Sequence, residues 1–223
     1  MRLEGDFLME KLTDGNVAYL SGKVLSEPAF NHKTYGEAFY MVLLGILRRS
    51  GYEDRIRLII SEKLLGGRSP RIGEGLEVAG QVRTYNKEVD GRSKLEVTVF
   101  VRNMEYCREN EPVYENHVAI EGFICKPPVR RTSPLGREIC DLMIAVNRMY
   151  NKSDYIPTIA WGRNAVYSGK LQVGDKVYVE GRIQSREYRK YTDEGEAITK
   201  TAYEVSVVTM EKVIQHRCGA EGE

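Results

Sequence analysis

The sequence has few of the residues that build metal sites or disulfide frameworks. It contains four cysteines among 223 residues, and no two of them form a CxxC pair. No histidine lies near them at the spacing of metal ligands, so we expect neither a metal site nor a cofactor. Scattered cysteines without a disulfide pattern are typical of a reducing compartment. The four are Cys107, Cys125, Cys140 and Cys218.

Histidine is equally scarce, and no catalytic motif surrounds any of the three, His32, His117 and His216. None lies in a GxSxG, HExxH or Cys–His context. The chain also has no GxxxxGK[ST] phosphate loop, and no pair of carboxylates can be singled out by spacing as acid and base. We therefore do not expect an enzyme.

Long apolar runs and an excess of charge of one sign are missing as well. No stretch of about 18 apolar residues could form a transmembrane helix. The start, MRLEGDFLMEKL, has no apolar run after a basic segment, so we expect no secretory signal and a cytoplasmic location. The formal net charge is +1. Any affinity for nucleic acid must therefore depend on a local arrangement of cations.

What the sequence does contain is an internal repeat with an offset of about 100 residues. NVAYLSGKVLSEP from Asn16 matches NHVAIEGFICKPP from Asn116, and IGEGLEVAGQVRT from Ile72 matches VGDKVYVEGRIQS from Val173. LEVTVFV matches YEVSVVT near the end of each copy. The second copy has a longer insertion, RKYTDEGEAITK. The linker CRENEPVYEN is polar and aperiodic, so we predict domains at residues 1–108 and 109–223.

Each copy is typical of five short strands, rich in Val, Ile, Leu and Tyr with several period-two runs. If Gly181 marks a bulge, Val177, Val179 and Ile183 face inward. Between the third and fourth strands, SEKLLGG and RNAVYSGKL each allow a short helix. This pattern predicts an all-β chain of two tandem OB-folds, which are five-stranded Greek-key barrels. Because OB-folds bind oligonucleotides, oligosaccharides and proteins, the fold alone does not decide the function.

The second copy resembles bacterial single-stranded DNA-binding proteins. The matching blocks lie within residues 116–213, in this order: VAIEGFICKPPVRRT, LMIAVNRMY, YIPTIAWGRNA, LQVGDKVYVEGRIQSREY and TAYEVSVV. The first copy looks like a diverged version of the same domain. The resemblance implies non-specific binding of single-stranded DNA in replication, recombination or repair, near the nucleoid. It also implies a homodimer, because the family works with four OB domains together.

The same resemblance implies that bases stack on aromatic side chains at Tyr150, Tyr155, Trp161 and Tyr188. An exposed ring accepts any base, and such stacking contributes roughly 1–3 kcal/mol per base. Each position has a structural alternative. Trp161 lies in the apolar run TIAWG and could belong to the core, and Tyr155 could cap a strand. The polar surroundings of Tyr150 and Tyr188 favour exposure.

Seven cations lie within a few residues of these rings, and we expect them to neutralise phosphates. Individually, each could equally be a solvated surface charge. They are Arg148, Lys152, Arg163, Arg182, Arg186, Arg189 and Lys190. The acidic loop tip (Asp193, Glu194, Glu196) should not lie against phosphate.

The first copy and the end of the chain depart from the family pattern. By alignment, the first copy places Arg49, Asp54, Ile60 and Lys87 at the four stacking positions, with Tyr40, Tyr52 and Tyr85 nearby. This domain is thus expected either to bind weakly or to serve mainly in assembly. The end, VIQHRCGAEGE, lacks the family's acidic, hydrophobic tip, which puts recruitment of replication or repair proteins in doubt. The main alternatives are an OB-fold protein-interaction module of a primosome-like complex and an RNA-binding protein.

Overall fold

A computed structural model describes residues 15–89, 91–108, 111–133, 136–191, 195 and 197–214. Within these residues, unit one contains six strands: β1 (Asn16–Val24), β2 (Ala29–Thr34), β3 (Glu37–Leu47), β4 (Glu53–Ser61), β5 (Gly75–Val89) and β6 (Arg92–Tyr106). Unit two contains β7 (Glu115–Ile124), β8 (Val129–Thr132), β9 (Glu138–Asn147), β10 (Ser153–Trp161), β11 (Lys176–Tyr191) and β12 (Ala197–Lys212).

Five strands of each unit close a barrel. In unit one the order is β1-β3-β4-β6-β5, and β5 returns to β1; in unit two it is β7-β9-β10-β12-β11. The prediction of two OB-folds is therefore confirmed. β2 and β8 are additional strands, hydrogen-bonded to β3 and β9 outside the barrels. Sequence periodicity did not predict them because every residue in both strands is exposed, which leaves no alternation to detect.

The cores follow the period-two alternation that the sequence predicts. Val177, Val179 and Ile183 are buried, and the pairing of β11 with β12 shifts between Glu180 and Gly181. Gly181 is required at this bulge because a Cβ there would lie 2.3 Å from the backbone oxygen of Ser206. The bulge lets β11 bend so that it can pair with both β7 and β12 around the barrel.

A short helix follows the third barrel strand of each unit, as predicted: α1 (Glu62–Leu65) and α2 (Arg163–Ser168). The Ser61 hydroxyl caps α1 by accepting a hydrogen bond from the Leu64 amide at 3.2 Å. A 3-10 turn (Met149–Asn151) connects β9 with β10. None of the helices in the described ranges has the length and apolar character needed to cross a membrane.

The two units are joined through their first strands. β1 and β7 pair antiparallel, with Ala18 opposite Val118. These two residues hold equivalent positions in the repeat, so the pairing places a pseudo-two-fold axis between them. The axis relates the Asn16 side chain, which hydrogen-bonds both backbone groups of Val82, to Asn116, which does the same with Ile183. The domain boundary at 108/109 stays a prediction, located between β6 and β7.

Candidate nucleic-acid interface

Three of the four predicted stacking residues lie on the outer face of unit two, the side of β9, β10, β12 and β11 turned away from the barrel core. Tyr155 and Trp161 alternate along β10 with buried residues, and their exposed fractions are 49% and 39%. Tyr188 lies on β11 and is 38% exposed. The side chain of Tyr150 lies outside the described part of the structure.

Strand pairing places these rings on the same side of the sheet. Ile159 of β10 and Arg182 of β11 are both level with Ser206 of β12, and side chains two residues apart share a face. The indole nitrogen of Trp161 donates a hydrogen bond to the Ser206 hydroxyl at 3.2 Å. This bond fixes the orientation of the indole while leaving part of its surface open to a ligand.

Several predicted cations are exposed around this face. Arg186 lies 5.9 Å from the Tyr188 ring centroid and 3.7 Å from a Glu204 carboxylate oxygen. Lys152, Arg163 and Arg189 are exposed, but Arg189, next to Tyr188 on β11, points to the opposite side of that strand. The side chain of Lys190 and the acidic loop tip lie outside the described residues. Arg182 is exposed but lines a separate cavity of about 500 Å³ beside Arg48 and Tyr114.

Arg148 differs from the prediction. Its guanidinium binds the fully buried carboxylate of Asp154 and donates to the Thr84 carbonyl of unit one at 3.2 Å. The same carboxylate accepts from Arg83 at 3.0 Å and from the Thr84 amide at 2.6 Å. Because these partners lie in unit one, Arg148 belongs to the junction between the units and not to the outer face of unit two.

The pseudo-two-fold axis repeats this junction on the other side. Asp54 is buried, binds Arg48 at 2.5 and 2.6 Å, and accepts from the Ser185 amide of unit two at 2.8 Å. The hydrogen bonds to Asp54 raise the pKa of Arg48 above its usual value. The junctions also fix the strands next to them, since the Tyr155 amide donates to the Thr84 hydroxyl at 2.8 Å.

The described residues contain no group of three or more histidine, cysteine, aspartate or glutamate side chains that could hold a metal ion. Burial raises the pKa of the Cys107, Cys125 and Cys140 thiols above their usual value.

Unit two also carries the similarity to known proteins. A profile of the Single-strand binding protein family matches residues 115–213, which include all six strands of unit two. The "Single-stranded DNA-binding protein" of Oceanobacillus iheyensis is 30% identical over 114 residues, which cover 48% of this chain and 67% of that protein. The chain belongs to the single-strand binding protein family.

Other relatives match over shorter stretches. "Single-stranded DNA-binding protein 2" of Listeria innocua is 31% identical over 80 residues, or 33% of this chain and 50% of that protein. "Single-stranded DNA-binding protein A" of Bacillus subtilis is 28% identical over 96 residues, or 40% and 56%. The chain thus spans about half the length of these two relatives.

A likeness over nearly the whole chain comes from a solved structure. The wild-type single-stranded DNA binding protein from Thermus aquaticus has a TM-score of 0.72, covering 92% of this chain and 96% of that one at 20% identity. The likeness shows that the fold of both units, and not only of unit two, occurs in a solved protein.

In unit one, two of the aligned stacking positions shift by one residue once the structures of the two units are compared, and they still carry no ring. The junctions make Asp54 equivalent to Asp154, so Tyr155 corresponds to Arg55 and Trp161 to Ser61, one residue away from the alignment. Tyr52 belongs to the junction between the units, where its hydroxyl donates a hydrogen bond to the Ser185 carbonyl at 3.1 Å.

Two rings nevertheless lie on the outer face of unit one, the side of β3, β4, β6 and β5 turned away from its core. Phe100 of β6 is level with Ile59 of β4 and Gln81 of β5, and Tyr85 lies on the same side of β5 as Gln81. Phe100 lies between buried Val99 and Val101 in LEVTVFV. This alternation was the available signal that Phe100 points away from the core.

Proposed function

We propose that the chain binds single-stranded DNA along the outer face of unit two, with little sequence specificity. The observation that carries the proposal is the partial exposure of three rings, Tyr155, Trp161 and Tyr188, on one side of one sheet. It is supported by membership of a family whose relatives are named single-stranded DNA-binding proteins.

The binding mode follows from the chemistry of the face. Every base has a π-face, so the rings accept any base, and stacking contributes about 1–3 kcal/mol per base. Arg186, Lys152 and Arg163 neutralise phosphates, which carry no sequence information. We add Tyr150, which follows β9, as a further stacking ring and Lys190, on β11, as a further cation. Arg182, which was predicted with them, lines the separate cavity beside Tyr114 and is not included in this face.

The role that fits this mode is to cover and protect single strands exposed during replication, recombination or repair, without catalysis. Exposed rings alone do not distinguish this function from a protein-interaction module, because Tyr and Trp are also enriched at protein interfaces. The exposed cations around the rings, such as Arg186, and the relatives named single-stranded DNA-binding proteins favour DNA binding over this alternative.

Fluorescence anisotropy of a labelled oligo-dT tests the proposal. Trp161→Ala and Tyr188→Ala should each weaken binding by about 1–3 kcal/mol, the value of one stacked base. Tyr114→Ala is the matched control, because Tyr114 is also 38% exposed but lies outside this face, and it should bind like the wild type. Equal binding by all four proteins would refute the site, and no binding by the wild type would favour the protein-interaction module.

A further inference from the structure

An open groove with a volume of about 900 Å³ lies on the outer face of unit one. Its walls come from the β2–β3 hairpin, β4, β5 and β6, and Arg148 of unit two closes one side. The groove occupies the place on unit one that the proposed DNA-binding face occupies on unit two, since Ile59 and Ile159 are equivalent in the two parallel strand pairs.

Aromatic rings line this groove. Tyr85 is 40% exposed, Phe100 lies on the floor, and the His32 ring stacks on Phe39 at 4.8 Å. Tyr35 stands at the rim and is fully exposed. The rings therefore come from β5, β6 and the β2–β3 hairpin, whereas those of unit two come from β10 and β11.

Tyr35 is placed in a way that folding alone does not explain. Tyr35 and Gly36 form the turn of the β2–β3 hairpin with φ of +49° and +85°. Such turns favour Asn or Asp before Gly, because a bulky side chain at positive φ is strained. A large ring that is strained and fully solvated gains nothing from burial, so a contact outside the fold would account for it.

The charge of the groove has a single sign. Four cations line it, and none of the described residues lining it carries a carboxylate, although the whole chain has 33 basic and 32 acidic residues. The cations are Arg83, Lys87, Arg102 and Arg148.

The charge behind the groove is only partly compensated. Asp154 is shared between Arg83 and Arg148, so one carboxylate faces two guanidiniums. Burial lowers the pKa of Arg83, and the positive charges of Arg148 and Arg102 lower it further. Arginine nevertheless keeps its proton in proteins. The excess positive charge would therefore be stabilised by an anion in the groove.

We propose that this groove binds a second segment of single-stranded DNA, with bases stacked on Tyr85 and Phe100 and phosphates bound by Lys87 and Arg102. Unit one thus contributes to DNA binding as well as to assembly. The inference rests on the proposed function of unit two, but it uses rings at positions that are not equivalent to those of unit two.

The junction gives the strand a short route between the units. Thr84, next to Tyr85, accepts the amide hydrogen bond of Tyr155 at 2.8 Å, and Arg148 lies beside both units. One oligonucleotide could therefore contact the groove and the outer face of unit two in succession. This continuity predicts that affinity keeps rising with length beyond what one unit can cover.

Two fluorescence reporters separate the groove from unit two. In the wild type, Trp161 is the only tryptophan and reports unit two. The double variant Tyr85→Trp with Trp161→Phe reports the groove, and far-ultraviolet circular dichroism checks that it is folded. Titration with long oligo-dT should quench both reporters.

The pattern of quenching decides between the two proposals. Quenching of Trp161 without quenching at position 85 would overturn the groove and leave the proposed function intact. Quenching at position 85 alone would support the groove and overturn the site in unit two. The absence of quenching at both positions would overturn both.

Affinity provides a second, independent test. Tyr85→Ser with Lys87→Ala should weaken binding of an oligo-dT of about 40 nucleotides at least five-fold, and leave binding of about 8 nucleotides within two-fold, since one OB-fold covers ~4–16. The matched control, Tyr114→Ser with Lys170→Ala, removes an exposed ring and an exposed cation elsewhere. If the groove variant and the control bind the long oligonucleotide equally well, the groove does not bind DNA.

Discussion

At the scale of single residues, the buried carboxylates at the junctions matter most. Asp154 is fully buried and accepts hydrogen bonds from Arg148, Arg83 and the Thr84 amide. A buried charge is tolerated only when it is paired, and removing one member of a pair leaves the others uncompensated. Asp154 therefore stabilises the arrangement of the two units and the position of Tyr155 beside it.

Asp154→Asn should lower the free energy of unfolding by about 3 kcal/mol, near the lower end for a broken buried pair, because both guanidiniums keep some contact with water. Urea denaturation measures the change. Asp141→Asn is the matched control, since Asp141 forms an exposed ion pair with Arg131. This variant should lower the free energy of unfolding by only about 0–1 kcal/mol. Equal stability of the two variants would contradict the assigned role of the junction.

A second residue-scale prediction concerns alkaline pH. Burial raises the pKa of Tyr178 to about 12, helped by the Glu180 carboxylate that accepts its hydroxyl hydrogen bond at 3.0 Å. The folded state thus holds this proton more tightly than the unfolded state, whose tyrosine pKa is about 10. The stabilisation of the folded state by the protonated Tyr178 hydroxyl is complete below about pH 10 and is lost as the pH rises toward 12.

Tyr178→Phe removes this titration. Between pH 10 and about 12, the stability of the wild type should fall more steeply than that of the variant, by an amount on the order of 1 kcal/mol. Urea denaturation of both proteins at several pH values measures the difference. Parallel curves would show that the Tyr178 pKa is not raised in the folded state.

At the scale of elements, the barrels depend on bulges where the fourth barrel strand bends. Gly181 and its counterpart Gly80 leave no room for a side chain, because a Cβ would lie 2.3 and 2.2 Å from a backbone oxygen of the neighbouring strand. Backbone atoms of a paired strand cannot move aside without breaking the ladder.

Gly181→Ala should therefore destabilise the protein by about 3 kcal/mol, at the upper end of the range for overpacking. Gly67→Ala is the control, because Gly67 has open space around it. Its free energy of unfolding should fall only by the roughly 1–2 kcal/mol that a side chain loses at a positive φ. Thermal unfolding compares the loss of stability in the two variants. A smaller loss for Gly181→Ala than for Gly67→Ala would show that position 181 does not lie against the Ser206 backbone oxygen.

Elements with a buried face could be predicted from the sequence, and those without one could not. The alternation of Val177, Val179 and Ile183 around Gly181 predicted both the strand and its bulge, and the apolar spacing in SEKLLGG and RNAVYSGKL predicted both helices. β2 and β8 were not predicted, because all their residues are exposed and the sequence therefore shows no alternation of apolar and polar residues there. Their pairing depends on the neighbouring strand, which a local pattern does not report.

At the scale of the whole molecule, contacts between residues distant in sequence determine which predicted site residues reach the DNA-binding face, and a local sequence pattern does not report such contacts. Arg148 was predicted to bind phosphate, yet it contacts Thr84, 64 residues away, through the packing of the two units. Likewise, the aligned stacking positions of unit one carry no ring, although Tyr85 was noted nearby. Strand pairing places Tyr85 on β5, the counterpart of β11, on the same face as Phe100 of β6. Family resemblance predicted the face of unit two, whereas the folded arrangement brings Phe100 and Tyr85 together in unit one.

The homodimer implied by the resemblance stays a prediction. Pairing of β1 with β7 already joins two OB units within one chain, so two chains would bring four units together under closed two-fold symmetry. Light scattering coupled to gel filtration at micromolar concentration should give the mass of two chains. A single-chain mass at that concentration would exclude the homodimer.

The central claim is that single-stranded DNA binds across the outer face of unit two, and the fluorescence of Trp161 tests it most directly. Titration with oligo-dT at low and high salt should quench the indole strongly, and the affinity should fall as salt rises because phosphate contacts release counterions. If the fluorescence stays unchanged and the oligonucleotide does not shift on a native gel, single-stranded DNA does not bind at this face.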